Sequence, residues 1–449
     1  MTQTSRATAR PVPASRLSRL TRLGGMTSGV LGGMAVEGVQ RLARGERPEL
    51  RDLLLTPSNV TRVTDQLAKM RGAAMKVGQL MSLDAGDIMP AELGEILSRL
   101  RADADYMPPR QLKSVLTRAW GDGWLRRFQR FDITPIAAAS IGQVHRAMTK
   151  DGRDLAIKVQ YPGVRASIDS DVANVGTLVK LSGLVPPGLD LAPLLEAARK
   201  QLHEEADYAR EGACLASFGA TLGAVPGVRV PKFYEDLSTQ DVLAMEYIAS
   251  EPIEYVRDLD QGTRDRVTAR LLDLMAQELF DLRMMQTDPN FANYRYAPDH
   301  DALVLLDFGA TREVAAELSL HYRELLIAGL AEDREGVAQA ALALGFYAPQ
   351  TASHHKHAVL DMVEMAFEPL RLDALFDFSD RTFADRMQRA GMAMAEDRSF
   401  DHVPPIEVLF LQRKFAGMAL LGRHLRACVN LHRLLRPYLD NRSIEKTGT

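Results

Sequence analysis

Three side chains in one irregular stretch of the chain carry the oxygen atoms that phosphoryl transfer requires. The segment QTDPNFANY places Asp288 five residues before Asn293, and LVLLDFGAT ends an apolar run at Asp307. Phosphoryl transfer needs a carboxylate that orients the acceptor hydroxyl or water. It also needs hard oxygen ligands that hold Mg²⁺ against the β- and γ-phosphates. We therefore predict that Asp288 is catalytic and that Asn293 and Asp307 bind the metal, with an ordinary turn at Asp-Pro-Asn as the alternative.

The same residues match the spacing of two protein-kinase motifs, D-x-x-x-x-N and D-F-G. Upstream, LAIK (Leu155 to Lys158) is similar to the V-A-I-K strand, whose lysine reaches the α- and β-phosphates. Such a lysine needs a carboxylate on a facing helix to hold it extended. The segment HEEADYAREG offers Asp207 and Glu211 on one helical face, with Glu205 about 120° around the axis. These carboxylates could serve two cations, and a solvated acidic face is the alternative.

The segment expected to cover the phosphates departs from the kinase pattern. It reads AAASIGQV, Ala137 to Val144, where a kinase has G-x-G-x-x-G. Glycines let backbone N–H groups approach a phosphate, so alanines would hold the loop farther off or aim it differently. An alanine-rich run often forms a helix, but Pro135 before it and a strand after it favour a hairpin. The residues expected to contact the nucleotide are Ala137, Ala138, Ala139, Ser140, Gly142, Gln143, Lys158, Glu246, Tyr247 and Ile248.

The elements that must position these residues follow from hydrophobic periodicity and turn signals. Helical patterns lie at 57–83, 91–102 and 109–120, and short strand patterns at 128–160 surround the hairpin signal Asp151-Gly152. One long helix is predicted at about 190–218, strands at 228–235 and 241–247, and helices from 263 onward except for an irregular stretch at 286–312. This order predicts an α+β protein with two lobes behind a helical extension.

Composition narrows the class of protein. The 449 residues are too many for one ordinary core, and the 55 Lys and Arg nearly balance the 58 Asp and Glu. No global basic field therefore suggests nucleic acid as a partner. Cys214 and Cys428 lie in apolar surroundings, which is typical of reduced core thiols in a cytoplasmic protein. No uncharged apolar stretch reaches the ~20 residues that a bilayer crossing needs, so we expect no transmembrane helix.

The first 36 residues form an arm with five arginines and no acidic residue before Glu37. This composition is typical of a transit peptide or of a segment that lies on a membrane surface. A Gly-rich run follows the last of these arginines. A flexible arm without a partner is the alternative interpretation.

Several segments together resemble the AarF/UbiB family of atypical kinases, which is associated with coenzyme Q biosynthesis. They are AAASIGQVH, AIKVQYPGV, EADYARE, MQTDPNFANY and LLDFGATR, and Lys76-Val77-Gly78-Gln79 matches the family's K-x-G-Q signature. The resemblance implies a bilobal protein-kinase-like fold with a helical K-x-G-Q extension and a largely helical C-lobe. We expect a basic arm and Gly-rich segment at 1–47, the extension at 48–125, an N-lobe with a helical insert at 126–250 and the C-lobe at 251–449.

The resemblance also implies roles for particular side chains. Lys76 would enter the active site from the extension and meet Glu205, and Glu211 would pair with Lys158. Asp207 completes the family's E-x-D motif with Glu205. The regulatory residues implied in this way are Lys76, Gly78, Gln79, Glu205 and Asp207. The implied ligands are ATP or ADP with Mg²⁺, with ATPase activity more readily expected than phosphorylation of proteins.

The sequence indicates the phosphoryl acceptor and the cellular location less clearly. A helical pattern begins near Glu313, which leaves no room for an activation segment that would dock a peptide, and Gln286-Thr287 replaces His-Arg. The partners expected are an anionic membrane surface, quinone-precursor lipids, quinone-biosynthesis enzymes and a second copy of the chain. The chain would lie at the cytoplasmic face of the inner membrane, or in an organelle if the arm is a transit peptide. A catalytically weak scaffold and a small-molecule kinase are the alternative functions.

A basic C-terminal helix is expected to allow peripheral membrane contact in place of the transmembrane helices that some family members carry. Its basic residues are Arg413, Lys414, Arg423, Arg426, Arg433 and Arg436.

Overall fold

The computed structural model describes residues 70, 72–74, 76–77, 106–181, 191–223, 225–397, 399–400 and 402–439. They belong to two compact units. Unit 1 comprises the described parts of Met1–Ala213 with Phe233–Tyr247, and unit 2 those of Cys214–Lys232 with Ile248–Thr449. The basic arm, Gly78, Gln79 and the helix expected at 91–102 lie outside the described residues.

Helices and short strands are interspersed along the described part of the chain. The first are α1 (Pro109–Trp120), β1 (Phe128–Phe131), β2 (Ala137–Ala138), β3 (Gly142–Thr149), β4 (Asp154–Gln160), α2 (Val164–Leu181), α3 (Ala192–Glu205), α4 (Tyr208–Leu222), β5 (Val228–Arg229) and β6 (Val242–Glu246). Next come β7 (Glu251–Pro252), α5 (Gln261–Phe280), β8 (Met284–Gln286), β9 (Tyr294–Ala297), β10 (Ala302–Leu305), β11 (Thr311–Glu313) and α6 (Ala316–Leu330). The last are α7 (Arg334–Ala343), α8 (Ser353–Arg371), β12 (Phe376–Asp377), α9 (Arg381–Glu396), α10 (Ile406–Leu425), β13 (Cys428–Val429) and α11 (Leu431–Leu435). Short 3₁₀ turns occur at Trp124–Arg127, Glu235–Leu237, Ile253–Asp258, Phe291–Asn293, Pro298–His300 and Arg436–Tyr438.

Unit 1 is built on an antiparallel sheet in the order β1-β3-β4-β6, with β2 paired to β3. The predicted hairpin joins β3 to β4, and Gly152 has a φ of 88° there, a conformation that glycine adopts without a steric penalty. Every residue of β4 after Asp154 is buried. Strand β4 is therefore the centre of the sheet and the rigid support for Lys158.

The core of unit 1 forms between this sheet and α1. The helix begins at Pro109, as predicted, because proline fits the first turn, where its missing N–H is not needed. Its buried residues recur at helical spacing and pack against Leu155, Ile157 and neighbouring sheet residues. The buried positions of the helix are Leu112, Val115, Leu116 and Trp120.

Two secondary-structure predictions for this region are wrong. The single helix expected at about 190–218 is broken into α3 and α4, because Asp207 caps α4: its Oδ1 accepts a hydrogen bond from the Arg210 N–H at 3.1 Å. Asp207 therefore does not lie on a continuous helical face with Glu211. Of the strand expected at 228–235, only Val228–Arg229 is a strand.

Unit 2 is largely helical, with small sheets between the helices. Its main sheet has the order β5-β10-β9-β7, and β8 pairs separately with β11. The stretch expected to be irregular at 286–312 therefore contains three short strands, β9, β10 and β11. The core of the unit includes buried residues from several helices and from β8, among them Leu279, Phe280, Met285, Leu326, Val337 and Leu411.

The α+β class, with a strand-rich first unit and a helical second unit, is confirmed. In the part of the chain that the structure describes, no helix combines the length and apolar character needed to cross a bilayer. Cys214 and Cys428 are free thiols, as predicted, but both are only half-buried, so their predicted place in the core is wrong.

Candidate active-site residues

Lys158 and Glu211 form a buried ion pair in unit 1. Lys158 projects from the central strand β4, and Glu211 lies in the first turn of α4. The Lys158 Nζ donates hydrogen bonds to both Glu211 carboxylate oxygens, at 2.8 and 3.0 Å. The two side chains are 8% and 1% exposed, and the ammonium also lies 5.1 Å from the centre of the Tyr208 ring. The pairing of Lys158 with Glu211 that the family resemblance implied is therefore present.

The Ala-rich loop is a tight strand connection and not a helix. Ala137 and Ala138 pair with β3, and the Ala139 N–H donates to the Gly142 carbonyl at 2.8 Å. Ala137 and Ala138 are exposed, and Ala139 is half-buried. A Cβ on Gly142 would lie 2.5 Å from the Val159 carbonyl oxygen, so only glycine lets the loop return this close to β4.

Glu205 connects the K-x-G-Q segment to this loop. The residues around Lys76 are helical, and its ammonium forms an ion pair with Glu205 in which both side chains are largely buried. Ser140 Oγ donates to the other Glu205 oxygen at 3.2 Å. A Cβ on Gly72 would be 3.0 Å from Ile141, which shows how closely the helix approaches the loop. Glu205 thus meets Lys76 as the resemblance implied, while Asp207 serves as the cap of α4.

Gln143 is fully buried, and its amide belongs to a hydrogen-bond network within unit 1. Its Oε1 accepts from the Met107 N–H at 2.7 Å, and its Nε2 lies 2.8 Å from His145 Nε2. His145 Nδ1 lies 2.8 Å from the Asp132 carbonyl, which can only accept, so the ring carries its proton on Nδ1. Burial lowers the pKa of His145, which keeps the ring neutral. The contact expected between Gln143 and the nucleotide stays a prediction.

The last three residues expected at the nucleotide follow one another across the boundary between the units. Glu246 ends β6, and the Tyr247 N–H donates to the Asp154 carbonyl at 2.9 Å. The Arg146 guanidinium lies 4.0 Å above the Tyr247 ring. Ile248 is buried in a small apolar cluster of unit 2. Their nucleotide contacts also stay predictions.

In unit 2, the β9–β10 hairpin brings the two expected metal ligands to the same end of adjacent strands. Tyr294 pairs with Leu305, and the Leu306 N–H donates to the Asn293 carbonyl at 3.1 Å. Asn293 donates through Nδ2 to the Asp288 carbonyl at 3.1 Å, and Asp307 Oδ1 accepts from the Gly309 N–H at 2.9 Å. The amide oxygen and the carboxylate are the donor types that Mg²⁺ prefers. The residues present therefore fit a magnesium ion.

The aromatic residue of the D-F-G segment packs against α4. Phe308 is buried, and its ring centre lies 5.0 Å from that of Phe218 in α4. Only residues 308–315 separate Asp307 from α6. The short connection agrees with the prediction that this chain lacks an activation segment.

Asp288 has a partner that the sequence interpretation missed. Its Oδ1 accepts a hydrogen bond from Arg413 Nη2 at 2.7 Å, and the Arg413 side chain is 7% exposed. Lys414 beside it is 1% exposed. Two of the six basic residues assigned to a membrane-contacting helix are therefore buried inside unit 2, and that part of the prediction is wrong. The available signal was their position between the apolar residues Phe410, Leu411 and Phe415 of one helix.

A second polar cluster in unit 2 has a structural explanation. Asp397 accepts from Ser399 Oγ at 2.5 Å and lies 2.8 Å from His355 Nε2. The hydrogen bonds from Ser399 and His355 hold the pKa of Asp397 well below its usual range. With His354 nearby, potential metal-ligand atoms lie within 4.8 Å of one another. These hydrogen bonds join the start of α8 to the end of α9. This structural role explains why the polar side chains lie together.

Comparison with known proteins places the chain in a family. Residues 99–341 match the ABC1 atypical kinase-like domain. Over 427 residues the chain is 38% identical to the protein named atypical kinase COQ8, mitochondrial, of Saccharomyces cerevisiae, covering 95% of this chain and 85% of that protein. It is 37% identical over 429 residues to atypical kinase COQ8B, mitochondrial, of Rattus norvegicus, covering 95% and 80%.

A solved structure shows the same fold. The complex of Rv3197 with erythromycin from Mycobacterium tuberculosis superposes with a TM-score of 0.60 and 24% identity, covering 86% of this chain and 97% of that one. The chain belongs to the ABC1 family of atypical kinases, which includes the COQ8 and AarF proteins, and it has the predicted protein-kinase-like fold.

Proposed function

We propose that this protein is an atypical kinase or ATPase that binds ATP or ADP with Mg²⁺ and supports ubiquinone biosynthesis at a membrane surface. The observation that carries the proposal is the buried Lys158–Glu211 ion pair. Burying two charges is costly, and such a pair gives a fold little net stability compared with apolar residues of similar size. A nucleotide-binding role gives a reason for it, because a paired lysine is held extended toward phosphates.

Each remaining residue has one role in this proposal. Lys158 would contact the α- and β-phosphates, and Asn293 and Asp307 would hold Mg²⁺, which neutralises charge on the phosphates. Asp288 would orient the acceptor hydroxyl or water. The Ala-rich loop would approach the phosphates less closely than a glycine loop, since each exposed alanine adds a Cβ to its surface.

The acceptor is proposed to be water and not a peptide. The short connection from Asp307 to α6 supports this, because it leaves no segment of the kind on which a protein kinase docks its peptide. The link to ubiquinone rests on the resemblance to the AarF/UbiB family. Relatives named as mitochondrial proteins support an organellar or inner-membrane setting.

A catalytically weak nucleotide-binding scaffold is the second candidate. The contact of Glu205 with both Lys76 and Ser140 favours it, because the K-x-G-Q segment then restrains the loop expected to cover the phosphates. A small-molecule kinase is less well supported, since an open acceptor site would not need this restraint.

The deciding experiment measures Mg²⁺-dependent phosphate release from ATP by the full chain. It is run with and without anionic liposomes and a phenolic analogue of a quinone precursor, and Asp307→Asn serves as the inactive reference. We expect turnover that requires Mg²⁺, rises with liposomes and falls in the variant. Nucleotide binding without turnover would establish the scaffold, and phosphorylated analogue would establish the small-molecule kinase.

A truncation tests the membrane part separately. Each arginine near an anionic surface contributes roughly 1 kcal/mol, an effect that fades within a Debye length. Deleting residues 1–36 should therefore abolish the response to liposomes, and salt should weaken that response in the full chain. An undiminished response in the truncated protein would exclude the arm as the membrane sensor.

A further inference from the structure

Helix α10 presents two buried basic residues to the loop that carries Asp288. Arg413 donates to the Asp288 carboxylate at 2.7 Å. Both basic residues lie outside residues 99–341, the part of the chain that matches the family domain. Their contacts therefore add to the motif-based description of the site.

Lys414 joins the two ends of that loop. Its Nζ donates to the carbonyl of Gln286, the last residue of β8, at 2.9 Å, and to the hydroxyl of Tyr294, the first residue of β9, at 2.8 Å. The Glu278 carboxylate of α5, itself 1% exposed, lies 3.2 Å away and balances the charge. Burial alone would lower the pKa of Lys414, but Glu278 and Tyr294 outweigh burial and raise it. The ammonium thus links the last residue of β8 to the first residue of β9 through its hydrogen bonds.

Gly417 brings the helix backbone against the same loop. A Cβ at this position would clash with the Pro289 ring, so the close approach depends on glycine. Positions 413 and 414 are four and three residues from 417, and at 100° per residue all three lie within a 100° arc of α10. This face of α10 therefore contacts both the middle and the ends of loop 287–293.

We infer that Arg413 is a positioning residue for Asp288, an inference that rests on the proposed function. The guanidinium donates to one carboxylate oxygen, and this charge-assisted hydrogen bond fixes the direction of the carboxylate. The other oxygen is then the one through which Asp288 orients the acceptor hydroxyl or water. Lys414 and Gly417 hold the loop so that this orientation persists.

The test is run without liposomes and compares Arg413→Met with Arg413→Lys and with Arg423→Met, a control at an exposed arginine of the same helix. Methionine keeps an unbranched apolar stem but removes the charge. Displacement of a catalytic group by about 1 Å can cost about 100-fold. We expect kcat of Arg413→Met to fall by that order, with KM for MgATP and the thermal shift with MgADP unchanged. Lysine should restore part of kcat, and Arg423→Met should behave like the unchanged protein.

Two further measurements separate positioning from a merely structural role. In an Asp288→Asn background, Arg413→Met should change kcat by less than about twofold, because no charge remains to be positioned. Hydrogen exchange of loop 287–293 should accelerate by about tenfold in Arg413→Met, without a comparable change elsewhere. Unchanged kcat, or equal losses in both backgrounds, would overturn the inference.

Failure of the proposed function is distinguishable from failure of this inference. If the unchanged protein releases no phosphate from MgATP, the proposed activity is absent, and the exchange measurement alone decides the positioning. Exchange in loop 287–293 that does not respond to Arg413→Met would then overturn it.

Discussion

Replacing Glu211 with glutamine tests the buried ion pair of unit 1. The two side chains are 8% and 1% exposed, so water cannot compensate Lys158 once the carboxylate charge is gone. Removing one partner of such a pair costs ~3–5 kcal/mol. The Tyr208 ring, 5.1 Å from the ammonium, still contacts the charge that remains, so we expect a loss at the lower end of this range, about 3 kcal/mol. That is roughly a 100-fold change in the unfolding equilibrium.

The assay is urea unfolding followed by tryptophan fluorescence. The chain contains two tryptophans, and both belong to unit 1, where the rings of Trp120 and Trp124 lie 5.7 Å apart. The signal therefore reports the unit that carries the ion pair. Glu196→Gln is the matched control, because Glu196 pairs with Arg199 on the surface and such pairs often contribute nothing measurable.

The double variant Lys158→Met/Glu211→Leu gives the decisive comparison. Replacing both charges with apolar groups removes the orphaned charge, so stability should return to near that of the unchanged protein, or above it. The losses of the single variants Lys158→Met and Glu211→Leu should therefore be far from additive in this double variant. Losses that simply add, or a Glu211→Gln midpoint equal to that of Glu196→Gln, would refute the reasoning.

Three further outcomes are expected. Asp307→Asn should lose most of the thermal shift with MgADP, because a carboxylate ligand becomes a neutral amide, and an undiminished shift in the folded variant would contradict its role. Gly142→Ala should lower the free energy of unfolding by about 1–3 kcal/mol in the urea assay, since the added Cβ would lie 2.5 Å from the Val159 carbonyl oxygen. Burial holds the pKa of His145 below its ordinary 6.5, so only the unfolded chain takes up a proton as the pH falls through that value. The unchanged protein should therefore lose stability below about pH 6.5 until the folded-state pKa is reached, whereas His145→Gln should show a flatter profile; equal slopes would exclude His145 as the source.

The parts of this protein that the sequence predicted depend on short-range relations. The spacing of Asp288 and Asn293 lies within one loop, and the Asp151-Gly152 hairpin and α1 follow from neighbouring residues. Backbone conformation and side-chain periodicity act over a few residues, so a single sequence displays them. The family motifs then supplied the pairing of Lys158 with Glu211, which are 53 positions apart.

The break between α3 and α4 shows where local patterns were not sufficient. The acidic residues from Glu204 to Glu211 fit one continuous helix by periodicity, but the Asp207 side chain caps a new helix instead. Capping a new helix and continuing the preceding one differ by only a small free energy. The packing of both helices therefore decides which of the two occurs.

The contact of Arg413 with Asp288 was decided only by the tertiary structure. The two residues are 125 positions apart, and a basic pair in a helix looks the same whether it faces solvent or a buried carboxylate. Sequence shows that a charge exists, but its energetic role depends on which groups surround it after folding, because burial changes both its hydration and its partners. The sequence alone therefore identified the residues that can do chemistry, whereas only the tertiary structure identified the residues that hold them in place.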